Sequence, residues 1–485
     1  MSKKGIPQIT IPIRPNEVSI EVITKYLETI FELFEANALE IKRDYDKYCL
    51  DHKIWAKVRP HDDTEVNNIV LIPSLKSIVD WKTGYVFGNP IKYAQSKDLS
   101  TDDINYLNKY VRNACQRSVD KEVGKWAYAT GVGYYFIEPK SEDYDIEVEA
   151  PYEIYCRTSD TCAKVYSAFG AKKPLFDILY TTYEEVAEGT HKKTVKVLDV
   201  YTPSTLFTFE KRDFKQFELV NSQDRGLYRH LPLVEKRANT DGIGIVAMGE
   251  TMQNAIDKLI SNGLDNVEDI VNEIFIYKNV NLGETTDEQK KKHTAMKRNG
   301  AVVLNTPNGS QYEADLDTIS PKMSLAEIRE MFAVVNSVFH SSVGVPMEVS
   351  NTNSGGTTKQ GSEVANGYDN AYNRAIDEVN TFLKADTELL EKIMWICREA
   401  KNNKINNLAP SEIEIKYSLN LTDNMLTKSQ SYGTFIQTMP PAMALRYCRL
   451  SNDPEAEGKV IEEYMAQKEQ KALEQQKQIT NRQDV

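Results

Sequence analysis

The chain has 485 residues, with 59 Lys and Arg against 71 Asp and Glu, a formal net charge of −12. That balance excludes a protein that grips duplex DNA through a broad cationic face, but not one past which a polyanion slides, because like charge discourages adhesion. The length allows roughly two to four domains with buried cores, no run approaches the roughly 18 apolar residues of a membrane span, and the six cysteines contain no CxxC pair for zinc.

In chain order, residues 16–50 predict a first helix, with Ile20, Ile23, Leu27, Ile30, Phe31, Phe34 and Leu39 at helical spacing. A turn-rich stretch follows at Arg59-Pro-His-Asp-Asp63, and Gly88-Asn89-Pro90 ends the next element and begins an extended one. Residues 101–129 read as one helix, buried through Ile104, Leu107, Val111, Val123 and Trp126 and stopped at Thr130-Gly-Val-Gly133. From Tyr134 to Val220 the pattern turns to short β runs at 134–138, 165–169, 193–201 and 205–209. The first part of the chain is therefore an α+β unit.

After Asp241-Gly-Ile-Gly244 an amphipathic helix runs to Glu273, with Met248, Met252, Ile256, Leu259, Ile260 and Val267 stepping by three and four. Its other side carries Glu250, Asp257, Asp265, Glu268, Asp269 and Glu273. Such a face is either solvated or lines something anionic that must not stick. Residues 274–320 predict a small insert, with strands at 274–280 and 300–304 around a helix at 287–298. Lys290, Lys291, Lys292, Lys297 and Arg298 of that helix are the one nucleic-acid-like patch, although such a run on a short helix is more often a solvated face than a phosphate or partner contact. Pro321 and a capping box of Ser324 with Glu327 open the next helix, which ends near Ser342. A polar loop over 344–360 follows, built from Asn351, Thr352, Asn353, Ser354, Gly355, Gly356, Thr357 and Thr358, with Lys359 its only base. Then comes a helix from Ser362 to Lys401, about 60 Å long at 1.5 Å per residue, a strand at 411–421, and helices over 425–449 and 454–476.

Searches for chemistry return little. There is no GxxxxGK[ST] phosphate loop, no HExxH and no GxSxG, and Gly131-Val-Gly133 and Gly242-Ile-Gly244 lack the rest of a dinucleotide fingerprint. His61, Asp62 and Asp63 form either a polar turn or the start of a metal site, and the six histidines do not cluster. No carboxylate pair stands out for acid–base work.

Several segments carry a family likeness. Val79-Asp-Trp-Lys-Thr-Gly-Tyr-Val-Phe-Gly-Asn-Pro-Ile-Lys-Tyr93, Gly131-Val-Gly-Tyr-Tyr-Phe-Ile137 followed by Ala150-Pro-Tyr-Glu-Ile154, the helix from Gly244 to Asn272, Ser354-Gly-Gly-Thr357 and Asp453-Pro-Glu-Ala-Glu457 occur in the order and spacing of a known family. From about residue 15 to 470 the chain resembles the portal proteins of long-tailed bacteriophages. The resemblance implies an α+β portal fold, assembled as a ring commonly of twelve subunits. It implies a wing at 1–243 and 361–404, a two-helix stem at 244–273 and 321–343, a small mixed α/β clip at 274–320, a tunnel loop at 344–360 and an α-helical crown at 405–485. It also implies double-stranded DNA in an axial channel, faced by the tunnel loop, and a clip that contacts DNA, the terminase large subunit or a head-completion adaptor. Major capsid and scaffolding proteins would be further partners. The protein would assemble in the host cytoplasm and reside in the virion, with no membrane, no cofactor, no metal and no catalytic residue. A metal-dependent nucleic-acid-processing enzyme, or a scaffold or adaptor that oligomerises through the long helix without a channel, are the alternatives.

Overall fold

Ser19 caps the first long helix by accepting a hydrogen bond from the Val22 amide at 3.4 Å, so the helix starts there. A short strand, β1 (Ile9–Ile11), precedes it, and helix α1 (Ile20–Tyr48) buries Ile23, Leu27, Ile30, Phe31 and Phe34 as its spacing predicts. The computed structural model describes residues 5–58, 67–95, 102–140, 144–145, 149–186, 192–212, 215–271, 274–278, 285–299, 315–319, 325–346, 362–400, 405, 408–420, 425–448, 450–451, 454 and 457–468. Helix α2 (Ser74–Phe87) ends at the expected Gly88 turn and leads into strand β2 (Lys92–Gln95).

The helix expected at 101–129 is two helices, α3 (Asp102–Asn113) and α4 (Gln116–Thr130). They part at Cys115, whose φ of 52° is left-handed and cannot continue a helix. Gly131, at φ 98°, ends α4, and a side chain there would meet the Gly242 carbonyl oxygen at 2.1 Å. Only glycine allows the two chain crossings to touch.

The β region is larger than the expected runs. Strands β3 (Val132–Pro139), β4 (Tyr152–Arg157), β5 (Cys162–Ser167), β6 (Pro174–Val186), β7 (Lys192–Tyr201), β8 (Thr205–Arg212), β9 (Glu218–Asp224) and β10 (Leu233–Arg237) form two sheets. One has the order β1-β5-β6-β7-β8-β9, antiparallel except for β1 against β5; the other has the order β10-β3-β4. Then come helix α5 (Ile245–Val271), strand β11 (Ile274–Lys278), helix α6 (Thr286–Asn299), strand β12 (Asp315–Ile319), helix α7 (Leu325–Val343) and helix α8 (Ser362–Glu399). β11 pairs antiparallel with β12; the strand expected at 300–304 lies outside the described residues. Strand β13 (Ile413–Lys416) pairs with β2, and helices α9 (Met425–Phe435) and α10 (Pro441–Cys448) replace one expected helix, parted at Pro440 and Pro441.

Helix α8 ties these layers together. Phe382, Leu389, Leu390, Ile393, Met394 and Cys397 lie buried in the core. Its acids also take buried lysines, from the body and, for Lys392, from α8 itself. Glu378 receives Lys82 and Tyr128. Asp386 receives the fully buried Lys236 at 2.7 Å, and Glu388 receives Lys164 and Lys392. The α+β class expected from the sequence is the observed one.

Candidate nucleic-acid interface

Helices α5 and α7 pack as a hairpin around the small β11–α6–β12 insert. The contact is close because Gly249 of α5 faces the ring of Phe339; a side chain at 249 would meet it at 2.4 Å. Ile328 of α7 seats against Gly263 of α5 in the same way.

The described acids of α5 are neither bare nor solvated. Glu250, Asp257 and Asp265 are all buried, 8%, 1% and 2% exposed respectively, against the segment between α1 and α2. Asp265 accepts the Asn68 amide at 2.7 Å and Lys57 Nζ at 2.6 Å. Ser261 accepts the Val70 amide at 3.0 Å, and Asp257 accepts the Ile72 amide at 3.0 Å. Gln253 accepts the Leu75 amide at 3.0 Å and donates to the Ile72 carbonyl at 2.6 Å. The matching repeats explain the arrangement. Four helical residues rise about 6 Å and two extended residues about 6.6 Å, so side chains at 265, 261 and 257 meet amides at 68, 70 and 72. The helix thereby supplies the hydrogen bonds that a neighbouring strand would give.

Around this ladder, His52 Nδ1 lies 2.9 Å from Asp257, and Lys47 and Lys53 lie 2.8 and 3.1 Å from Glu250. Burial raises the affinity of Asp265 for a proton, but the hydrogen bonds from Lys57 and Asn68 outweigh it and hold its carboxyl below the usual range. Within the chain, the carboxylates of these three acids, expected as candidates for a channel lining, are engaged by its own backbone and bases. Asp257 and Asp265 repeat Ser261 and Gln253 at four-residue spacing, which signals an ordered polar face; what covers that face comes from nearly 200 residues earlier in the chain.

Glu268 and Asp269 lie on α5, but their side chains, and all of Glu273, fall outside the described residues. Lys290 and Lys291 are exposed on α6; the side chains of Lys292, Lys297 and Arg298 fall outside them. So do Asn351, Thr352, Asn353, Ser354, Gly355, Gly356, Thr357, Thr358 and Lys359, as well as His61, Asp62 and Asp63. Of the loop's frame, Arg374 of α8 donates to the Ser342 carbonyl at 2.8 Å, anchoring the end of α7 to the long helix.

Titratable groups elsewhere sit inside the body. Burial pushes the Asp120 carboxyl up to about 7, with Lys236 pulling it down and Asp386 adding to the rise. Burial, with Lys164 close by, brings Lys392 down to about 8. Lys236 bridges Asp386, Tyr135 and Tyr417, and Tyr135 donates to Asp120 at 3.0 Å. No group of His, Cys, Asp and Glu among the described residues is arranged to hold a metal ion, and no helix among them is long and apolar enough to cross a membrane.

The described residues thus form an α+β body crossed by one long helix, with a helix of the hairpin at either end of a small insert. The profile of the family "Phage portal protein, SPP1 Gp6-like" matches residues 27–479, and the chain belongs to that family. Among solved structures, a chain of "Neck of empty GTA particle computed with C6 symmetry" is similar at 13% identity, over 77% of this chain and 88% of that one, with a TM-score of 0.40. No curated protein matches.

Proposed function

We propose that copies of this chain form a ring at one vertex of a phage capsid, and that double-stranded DNA is packaged and later ejected through its axis. The family membership over residues 27–479 supports this. The observation that carries it is the outer side of the α5–α7 hairpin. Met331, Val334 and Val338 of α7 are 50%, 58% and 50% exposed, and Met248 of α5 is 47% exposed. An apolar stripe on a helix pair is covered when subunits stand side by side.

In this reading residues 1–243 and 361–404 are the wing, 244–273 and 321–343 the stem, 274–320 the clip, 344–360 the tunnel loop and 405–485 the crown. The loop's neutral Asn, Ser and Thr side chains make weak, exchangeable hydrogen bonds to phosphates, which suits DNA that must keep moving. Exposed Lys290 and Lys291 meet DNA, the terminase motor or the head-completion adaptor that succeeds it. The ring also nucleates capsid assembly with capsid and scaffolding proteins, and it carries no active site. Replacing 351–358 with a Gly-Ser linker tests the loop. Ring assembly is expected to persist while the DNA packaged per particle falls severely; normal packaging would remove the loop from the account.

A further inference from the structure

We propose that the helix over residues 457–468 of one copy lies in a cationic groove of the next copy. The inference rests on the ring reading above. The groove runs between α3 and α4, the β2–β13 ribbon and α10, and encloses about 1500 Å³. That exceeds the roughly 300–1,000 Å³ of a small-molecule pocket. Arg112 and Arg117 stand on the helical side, Lys92 and Lys416 on the ribbon, and Arg446 on α10. Among the described residues two acids line it: Glu414, 3.4 Å from Lys416, and the buried Asp120. Ile91, Val111, Ile415, Ala442 and Met443 give the groove its apolar lining. In a chain of net charge −12, this is a local concentration of positive potential over an apolar floor.

The complementary element is on the same chain. The helical stretch 457–468 begins with Gly458 buried against Ala442. Beyond that contact Val460, Tyr464 and Met465 are 64%, 65% and 46% exposed. At about 100° per residue, Val460, Ile461, Tyr464 and Met465 form one stripe, and Glu462 and Glu463 flank it on opposite sides. The groove is lined by Pro454 but by no residue of 457–468. The helix thus starts beside the groove of its own chain without filling it.

An apolar stripe between two acids matches an apolar floor between two cationic rims, in both charge and pattern. A nucleic acid in the groove would neutralise the cations but leave the stripe of 457–468 uncovered. Helix and groove are different patches of one chain, so their contact is heterologous and closes into a ring when the rotation closes.

Charge reversal on the full-length protein tests the contact. The variants are Arg112→Glu with Lys416→Glu, Glu462→Lys with Glu463→Lys, and all four together. Assembly is read by sedimentation over a concentration series, and folding by circular dichroism and thermal midpoint; all four positions are exposed. Each pair is expected to raise the concentration for half-assembly by at least about tenfold at an unchanged thermal midpoint, and the four together to restore most of it. Normal assembly of either pair, or no rescue in the combination, overturns the contact while leaving wild-type rings and the ring reading in place. A groove variant that loses DNA binding but assembles normally also overturns it, assigning the groove to nucleic acid. Wild-type chains that form no ring remove the ring reading itself.

Discussion

Asp120 shows how far burial moves a single residue. Its carboxyl faces Lys236, Asp386, Tyr135 and Gln116 and stands at about 7, burial being the main cause. A carboxyl raised above its unfolded value holds a proton in the native state that the unfolded chain has released. Its contribution to stability is therefore present at low pH and is lost as pH rises from about 4 to 7. Asp120→Asn removes this dependence, because the amide cannot ionise. Chemical denaturation of both proteins between pH 4 and pH 8 is expected to show the variant gaining about 4 kcal/mol on the wild type across that interval. Parallel curves would mean that Asp120 is already ionised in the folded protein. Gly249 shows the same scale acting through shape, since the absence of a side chain lets Phe339 of α7 reach the backbone of α5.

At the scale of elements, α5 is a helix that serves as a strand's partner. Asp257 accepts the Ile72 amide and the Gln253 side chain and lies against His52, all in a buried setting. Asp257→Ala strands these groups and is expected to cost about 3 kcal/mol or more. The exposed neighbour Lys258→Ala is expected to change stability by no more than about 0.5 kcal/mol. Equal effects in urea unfolding would contradict the ladder. The helices α1, α5, α7 and α8 were legible because each keeps an apolar stripe in phase over many residues. The acidic side of α5 was legible as a polar face, but not as an occupied one, because local periodicity carries no record of contacts with Lys57, Asn68 and Ile72. Strands β6 and β9 escaped notice for a related reason. Asp177, Glu184 and Glu185 in β6, and Asn221, Ser222 and Gln223 in β9, dilute the β-branched and aromatic signal. Pairing with β5, β7 and β8 supplies what propensity does not.

At the scale of the molecule, α8 holds the sheets, α2 and α4 through Glu378, Asp386 and Glu388, each bound to a lysine of the body. This frame carries the α5–α7 hairpin, on which Met331, Val334, Val338 and Met248 stand exposed, the surface that the proposed ring covers. The family likeness was legible from the order of short segments rather than from any one of them, and the profile match over residues 27–479 agrees with it. The candidate site was less legible, because an interface made by several copies leaves only half of its pattern in each chain. The measurement that bears most directly on the account is the mass and image of the purified full-length protein in solution. Rings with a central hole, and a mass that is a multiple of 55.2 kDa near twelvefold, are the predicted result. A protein that stays monomeric, both alone and with capsid and scaffolding proteins, would contradict the ring and the conduit built on it.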